Sequence, residues 1–66
     1  MIDITFNGHL TSTAAETVAG LLTEQSVSSR GVAVAVNGHV IPRSEWQQSR
    51  LHAGDIIEVV TAAAGG

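Results

Sequence analysis

The chain of 66 residues lacks cysteine and lysine, two residue types that often carry chemistry. Without cysteine there is no disulfide framework, no thiolate nucleophile and no cysteine-based metal site. Without lysine there is no side-chain amine, and the three cationic side chains are all arginines. The net charge is −3 and no basic stripe is present, which argues against nucleic-acid binding. These absences favour a small acidic domain that is attracted to a basic partner surface.

Long apolar runs are also missing, since no stretch approaches the length of about 20 residues that spans a bilayer. The first residues carry no basic region before an apolar stretch, so we expect no signal peptide and a cytoplasmic protein. Hydrophobic residues make up 44% and charged residues 14% of the chain, which is typical of a globular domain. A chain this short buries only about 60% of its unfolded surface, so its core is thin.

Alternation of apolar and polar or small residues predicts strands. The pattern is clearest in Ile2-Asp3-Ile4-Thr5-Phe6 and recurs with β-branched residues and alanines in Val32-Ala33-Val34-Ala35-Val36. Each of these runs is followed by Asn-Gly, the strongest two-residue hairpin signal. The sequence therefore predicts two hairpins and a last, separate strand, with the five strands at residues 2–6, 9–12, 32–36, 39–41 and 56–60.

One helix is predicted between the two hairpins. Thr17 is a suitable N-cap, and Val18, Leu21 and Leu22 share one face at helical spacing. Gly20 weakens this helix by about 1 kcal/mol relative to alanine, so tertiary packing must support it. We expect the helix to end near residue 25. Residues 43–46 read as one further helical turn, whose Trp46 is a packing anchor.

The predicted order of elements is β-β-α-β-β-turn-β. A single helix must cover one face of a four- or five-stranded sheet, because both apolar surfaces need burial. This is an α+β fold of the β-grasp type, with a domain at 1–60 and a flexible tail at 61–66. The predicted core consists of Ile2, Ile4, Phe6, Val18, Leu21, Leu22, Val34, Val36, Leu51, Ile57 and Val59.

Most side chains that could carry chemistry are not arranged for it. The three histidines fit no compact metal pattern, and we expect them to be solvated; they are His9, His39 and His52. No serine lies in a Gly-x-Ser-x-Gly elbow, and no glycine-rich loop could hold phosphates, so we expect neither a metal nor a cofactor on this chain. The remaining reactive group is the C-terminal carboxylate of Gly66, which either is the site of chemistry or belongs to a frayed terminus.

Two further features have open interpretations. The predicted sheet presents a partly apolar face opposite the helix, which is either a docking surface or an ordinary mixed surface. Its expected members are Ala33, Ala35, Ile56, Glu58 and Val60. Arg43 either contacts an acidic group of a partner or caps the turn at Pro42.

Several motifs together resemble the ThiS family, the sulfur carriers of thiamin biosynthesis. The run 35–46 carries Asn37, the pair Pro42-Arg43 and Trp46 at the expected spacings. The run 51–60 and the terminal Gly65-Gly66 match the end of the same family, although Leu-x-x-Gly-Asp and Gly-Gly are shared with other ubiquitin-like proteins. The alanine-rich tail departs from the family, in which larger apolar residues are common.

The resemblance implies that this chain is a carrier and not an enzyme. An adenylating enzyme would use ATP to activate the carboxylate of Gly66, and a sulfur donor protein would then supply the sulfur of a thiocarboxylate. Thiazole synthase would receive this sulfur. Ala64 and Gly65 would be recognised as the tail enters its partners, and Ile56, Glu58, Val60 and Arg43 are candidate contacts with them. The alternatives are the small subunit of molybdopterin synthase and a ubiquitin-like binding module with an inert tail.

Overall fold

The computed structural model describes residues 1–61. Its elements are β1 (Ile2–Phe6), β2 (His9–Thr13), the helix α1 (Val18–Glu24), β3 (Val32–Val36), β4 (His39–Ile41), a 3-10 helix (Arg43–Glu45) and β5 (Ile56–Thr61). Every predicted element is present, and β2 and β5 each extend one residue further than expected. The predicted tail therefore contributes Thr61 to β5, and its other residues lie outside the described part.

The five strands form one sheet in the order β2-β1-β5-β3-β4. β1 and β5 are parallel, whereas β1 pairs with β2 and β3 pairs with β4 and β5 in antiparallel fashion. The last strand thus lies in the middle of the sheet, between the two hairpins. A mixed five-stranded sheet covered by one helix confirms the predicted α+β, β-grasp fold.

The seven-residue helix α1 is held at its start by backbone groups that follow the 3-10 helix. The Thr17 hydroxyl accepts a hydrogen bond from the Gly20 N–H at 3.1 Å, which confirms the predicted N-cap. The N–H groups of Val18 and Ala19 donate to the carbonyls of Ser49 and Trp46, each at 3.0 Å. Because a helix this short is unstable alone, these tertiary bonds help to fix its position.

The core lies between α1 and one face of the sheet. Its buried members are Ile4, Val18, Leu21, Leu22, Val34, Trp46, Leu51 and Ile57. Trp46 packs here as predicted, and its indole N–H donates to the Ile41 carbonyl at 2.9 Å. The predicted core was too wide, since four of its residues are only half-buried; they are Ile2, Phe6, Val36 and Val59. A seven-residue helix is about 10 Å long and a five-residue strand about 17 Å, so the ends of the strands remain uncovered.

Two polar side chains, Thr13 and Asp55, are also buried. The Thr13 hydroxyl donates to the Glu24 carboxylate and accepts from the Ala15 N–H, which ties β2 to the end of α1. Asp55 accepts hydrogen bonds from the His52 N–H at 2.8 Å and from Asn37 Nδ2 at 3.0 Å. Within residues 1–61 every buried side-chain nitrogen and oxygen has a partner, as buried polar groups require.

Candidate functional site

The face of the sheet opposite α1 has no element packed on it within the described residues, and we call it the open face. Strand register places its members together, since Ala33 pairs with Val60, and Ala35 pairs with both Glu58 and Val40. The open face comprises Asp3, Thr5, Leu10, Ser12, Ala33, Ala35, Val40, Ile56, Glu58 and Val60. All five residues that the sequence predicted for it lie there.

The open face is largely apolar. Leu10 is 80% exposed, Val40 72%, Val60 59% and Ile56 51%. Only one other large apolar side chain is counted as exposed in residues 1–61, that of Met1. The exposed apolar side chains are therefore gathered on one side of the molecule instead of being scattered, and such a patch is typical of an interaction surface.

The charges on the open face are negative. Asp3 and Glu58 are its charged residues, and Asp3 accepts a hydrogen bond from the Ser12 hydroxyl at 2.7 Å. The three arginines lie in segments outside the strands, at positions 30, 43 and 50. The open face therefore suits a partner surface that is apolar and also carries basic groups.

Arg43 lies apart from the open face. It begins the 3-10 helix that follows β4, and it lines a groove of about 520 Å³ together with α1 residues and Trp46. Its side chain is exposed and forms no ion pair within residues 1–61. The turn at Pro42 is closed by backbone bonds, the Glu45 N–H donating to the Pro42 carbonyl at 2.8 Å. The structure thus separates Arg43 from Ile56, Glu58 and Val60.

Two similar turns hold β5 in register. Asn7 and Asn37 have φ of 49° and 52°, and the glycines after them 83° and 85°, the left-handed conformation of a type I′ turn. The Asn7 side-chain oxygen accepts from the Val59 N–H at 2.8 Å, and the Asn37 oxygen accepts from the Ile56 N–H at 3.0 Å. The sequence predicted both turns but not these contacts, whose only signal is that both turns begin with asparagine.

The three histidines are exposed, as expected; they are His9, His39 and His52. In the part of the chain that the structure describes, no group of three potential ligands is placed to hold a metal ion. No helix between residues 1 and 61 is long and apolar enough to cross a membrane.

β5 connects the open face to the end of the chain. It contributes Ile56, Glu58 and Val60 to the face and continues to Thr61, after which five residues remain. The three tail residues singled out in the sequence, Ala64, Gly65 and Gly66, lie outside the described residues. The open face and the predicted reactive group are therefore close to each other in the sequence.

Comparison with known structures shows the same fold. The crystal structure of the thiamine biosynthesis protein (ThiS) from Geobacter metallireducens aligns with a TM-score of 0.80 at 28% identity, covering 89% of this chain and 91% of that chain. A solution structure of a thiamine biosynthesis protein from the same organism aligns with a TM-score of 0.74 at 25% identity, covering 89% and 81%.

Sequence comparisons agree with the structural ones. A thiazole synthase from Paramagnetospirillum magneticum is 42% identical over 53 residues, which are 80% of this chain but only 16% of that protein. The sulfur carrier protein ThiS of Escherichia coli is 35% identical over 66 residues, 98% of this chain and 100% of that protein. The model of the ThiS family matches residues 4–66. The chain therefore belongs to the ThiS family, the sulfur carrier proteins of thiamin biosynthesis.

Proposed function

We propose that Gly66 is the residue of this carrier that bears the sulfur, as a C-terminal thiocarboxylate. The observation that carries the proposal is the continuity of β5, which forms the centre of an apolar open face and leads within five residues to Gly66. A partner that binds this face receives the end of the chain at its surface. The chain itself is a carrier and not a catalyst, as the family implies.

The chemistry requires an activated carboxylate. A carboxylate is a poor acyl donor because its leaving group would be oxide, so an adenylating enzyme first joins the Gly66 carboxylate to AMP and releases pyrophosphate from ATP. Sulfide-level sulfur from a sulfur donor protein then attacks the acyl carbon, the bond from that carbon to the AMP oxygen breaks, AMP leaves, and the thiocarboxylate remains. Dividing one difficult step into two easier ones is the logic of covalent catalysis. ATP is bound by the partner and not by this chain.

The diglycine suits this chemistry for steric reasons. An active site must approach the backbone of the last residues closely, and glycine has no Cβ to obstruct that approach. We propose that Gly65 and Ala64 are recognised as the tail enters the active site. Five extended residues reach at most roughly 17 Å, so the reacting centre of each partner lies within that distance of the docked end of β5.

We propose that the open face binds the adenylating enzyme and thiazole synthase in turn. Ile56 and Val60 supply apolar contact area, and Glu58 suits a basic group of the partner. A partner that extends past the edge strand β4 would also meet the exposed Arg43. One surface for both partners makes their binding mutually exclusive, so the carrier must leave the first enzyme before it meets the second.

Thiazole synthase is proposed as the acceptor because of one of the similar proteins. The Paramagnetospirillum magneticum protein of that name contains a segment similar to 80% of this chain. A segment similar to this chain is thus part of a protein that is named thiazole synthase. Joining two interacting domains in one polypeptide raises the effective concentration that each has for the other. This favours a direct encounter between the separate proteins as well.

Mass spectrometry of the co-expressed protein tests the proposal. With an adenylating enzyme and a sulfur donor present, we expect the C-terminal peptide to gain the mass of sulfur in place of oxygen on Gly66. Addition of thiazole synthase and its other substrates should return the peptide to its original mass. A carrier that stays unmodified under these conditions contradicts the assignment.

Variants of the diglycine test the steric argument. Gly66→Ala and Gly65→Ala should lower the yield of thiocarboxylate strongly and leave the thermal midpoint unchanged, because both residues follow the last strand. Ala62→Ser, which changes the tail four residues before its end, is the matched control and should keep the yield of the original chain. Equal yields in all three variants would contradict the need for close approach to the diglycine.

A further inference from the structure

We propose that Asn7 is a site of spontaneous chemical modification, where the side-chain amide is lost and aspartate or isoaspartate forms, whereas Asn37 is protected. Both residues lie in the same tripeptide, Asn-Gly-His, and both begin a hairpin turn. An asparagine before glycine is prone to this reaction because glycine leaves its backbone nitrogen sterically accessible. The two turns therefore form a matched pair within one molecule.

The reaction is intramolecular and needs only water. The backbone nitrogen of Gly8 loses its proton and bonds to Cγ of Asn7, and the bond from Cγ to Nδ2 breaks. Nδ2 leaves as ammonia, with protons from solvent, and a cyclic succinimide remains. Water then opens either of its carbonyl groups and gives aspartate or isoaspartate. In total one water is consumed, one ammonia is released and one negative charge is gained.

The two sites share most of their geometry. Asn7 and Asn37 are both exposed, with φ differing by 3° (49° against 52°). The space beside the following glycines, Gly8 and Gly38, is open to at least 4 Å. Each asparagine oxygen accepts a backbone N–H of β5, which polarises the carbonyl toward attack at both sites. These features cannot distinguish the two reactions.

The amide nitrogen distinguishes them. Asn37 Nδ2 donates to the carboxylate of Asp55 at 3.0 Å, and Asp55 is only 8% exposed and is also held by the His52 N–H. Both ends of the Asn37 amide are thus fixed, and departure of its nitrogen would remove a donor from a buried charge. Nδ2 of Asn7, in contrast, donates no hydrogen bond to any group of residues 1–61.

The stability of the two products also favours modification at Asn7 over Asn37. A carboxylate at position 37 would face the carboxylate of Asp55, and like charges at that separation repel. In the aspartate product, the side-chain carboxylate of position 7 still offers an acceptor to the Val59 N–H, so the strand contact is kept. The bond from the Val59 N–H places the side chain of position 7 against β5, so the modification adds a negative charge next to that strand.

Peptide mapping of the intact protein tests this proposal directly. The chain is incubated folded in mildly alkaline buffer and then digested with trypsin, which cleaves after Arg30 and Arg43 and so separates Asn7 (peptide 1–30) from Asn37 (peptide 31–43). We expect peptide 1–30 to be modified about tenfold faster or more, the factor that corresponds to one hydrogen bond to a charged group. In urea, where both tripeptides are unfolded, the two rates should converge.

Two variants identify the cause. Asn7→Gln should abolish the signal in peptide 1–30, because glutamine would have to form a larger ring. Asp55→Ala should raise the rate at Asn37 toward that at Asn7, and the thermal unfolding midpoint of the variant, measured separately, shows whether it is still folded. Equal rates at the two sites in the folded chain, or no modification of Asn7 while the urea sample reacts, would overturn the proposal. If Asp55→Ala unfolds, the comparison in the original chain still decides.

Discussion

Ile56 and Ile57 are neighbours in β5 with opposite environments. Ile57 is fully buried beneath α1, whereas Ile56 is 51% exposed on the open face. Successive side chains of a strand point to opposite faces of the sheet, and the same contrast recurs in β1, where Asp3 is exposed and Ile4 is buried. The covered face holds the domain together, and the open face presents four large apolar side chains to solvent.

Different apolar residues thus serve the stability of the domain and the proposed binding of partners. A small domain has few apolar side chains, yet several of those in this chain lie on the open face, where they add little to its own stability. Burial of these side chains against a partner would stabilise a complex instead. Stability and partner binding should therefore be separable by substitutions one residue apart, and the following predictions test that separation.

The largest effect is expected at Ile57. Ile57→Ala removes a side chain with no exposed surface and leaves a cavity, which should lower the free energy of unfolding by about 2–5 kcal/mol. Ile56→Ala, its matched control, should cost about 1 kcal/mol or less, because only strand propensity and partial packing are lost. Urea denaturation of both variants measures the difference. Similar losses would show that the open face also contributes to the core.

A smaller loss is expected where a turn fixes β5. Asn37→Asp removes the donor to Asp55 and opposes two carboxylates, which should cost about 1–3 kcal/mol near neutral pH. Asn7→Asp keeps its acceptor for the Val59 N–H and should be nearly neutral. These contacts matter to both faces, since a slip of β5 by one residue would exchange the environments of Ile56 and Ile57. Equal midpoints of thermal unfolding for the two variants would contradict this role of Asp55.

On the open face the expected effect is on binding alone. Val60→Glu adds a charge to an exposed apolar position and should weaken binding to the adenylating enzyme about tenfold, or about 1.4 kcal/mol. Gln48→Glu adds the same charge at an exposed position after the 3-10 helix, outside both the open face and the groove that Arg43 lines, and should leave the affinity unchanged. Both variants should unfold near the midpoint of the original chain. Titration by calorimetry decides, and equal affinities would place the interface elsewhere.

Patterns of neighbouring residues predicted the architecture because they are local. Alternation gave the strands, and the Asn-Gly pairs gave the turns. The N-cap at Thr17 and the helical spacing after it gave α1. The open face followed from the same alternation once one helix had been assigned to one side.

Contacts between distant residues could not be predicted in this way. Asp55 is buried, and its side chain accepts a hydrogen bond from Asn37, which is 18 positions away. The bond from the Val59 N–H to Asn7 spans 52 positions. Both depend on the register of β5 between two hairpins, which no local pattern encodes. The extent of the core was misjudged for a related reason, since the area that α1 covers depends on how it crosses the sheet.

The smallest effect is expected on the covered side, at Gly20 within α1. A Cβ placed there would lie 3.4 Å from the Thr17 hydroxyl oxygen and 3.5 Å from Ala15 Cβ, distances of ordinary contact. Gly20→Ala should therefore stabilise the domain by about 0.5–1 kcal/mol, because alanine loses less backbone entropy in a helix. The affinity for the adenylating enzyme should not change, since α1 packs on the face away from the proposed interface. A loss of stability in urea would show instead that the added methyl group displaces the Thr17 hydroxyl from its cap.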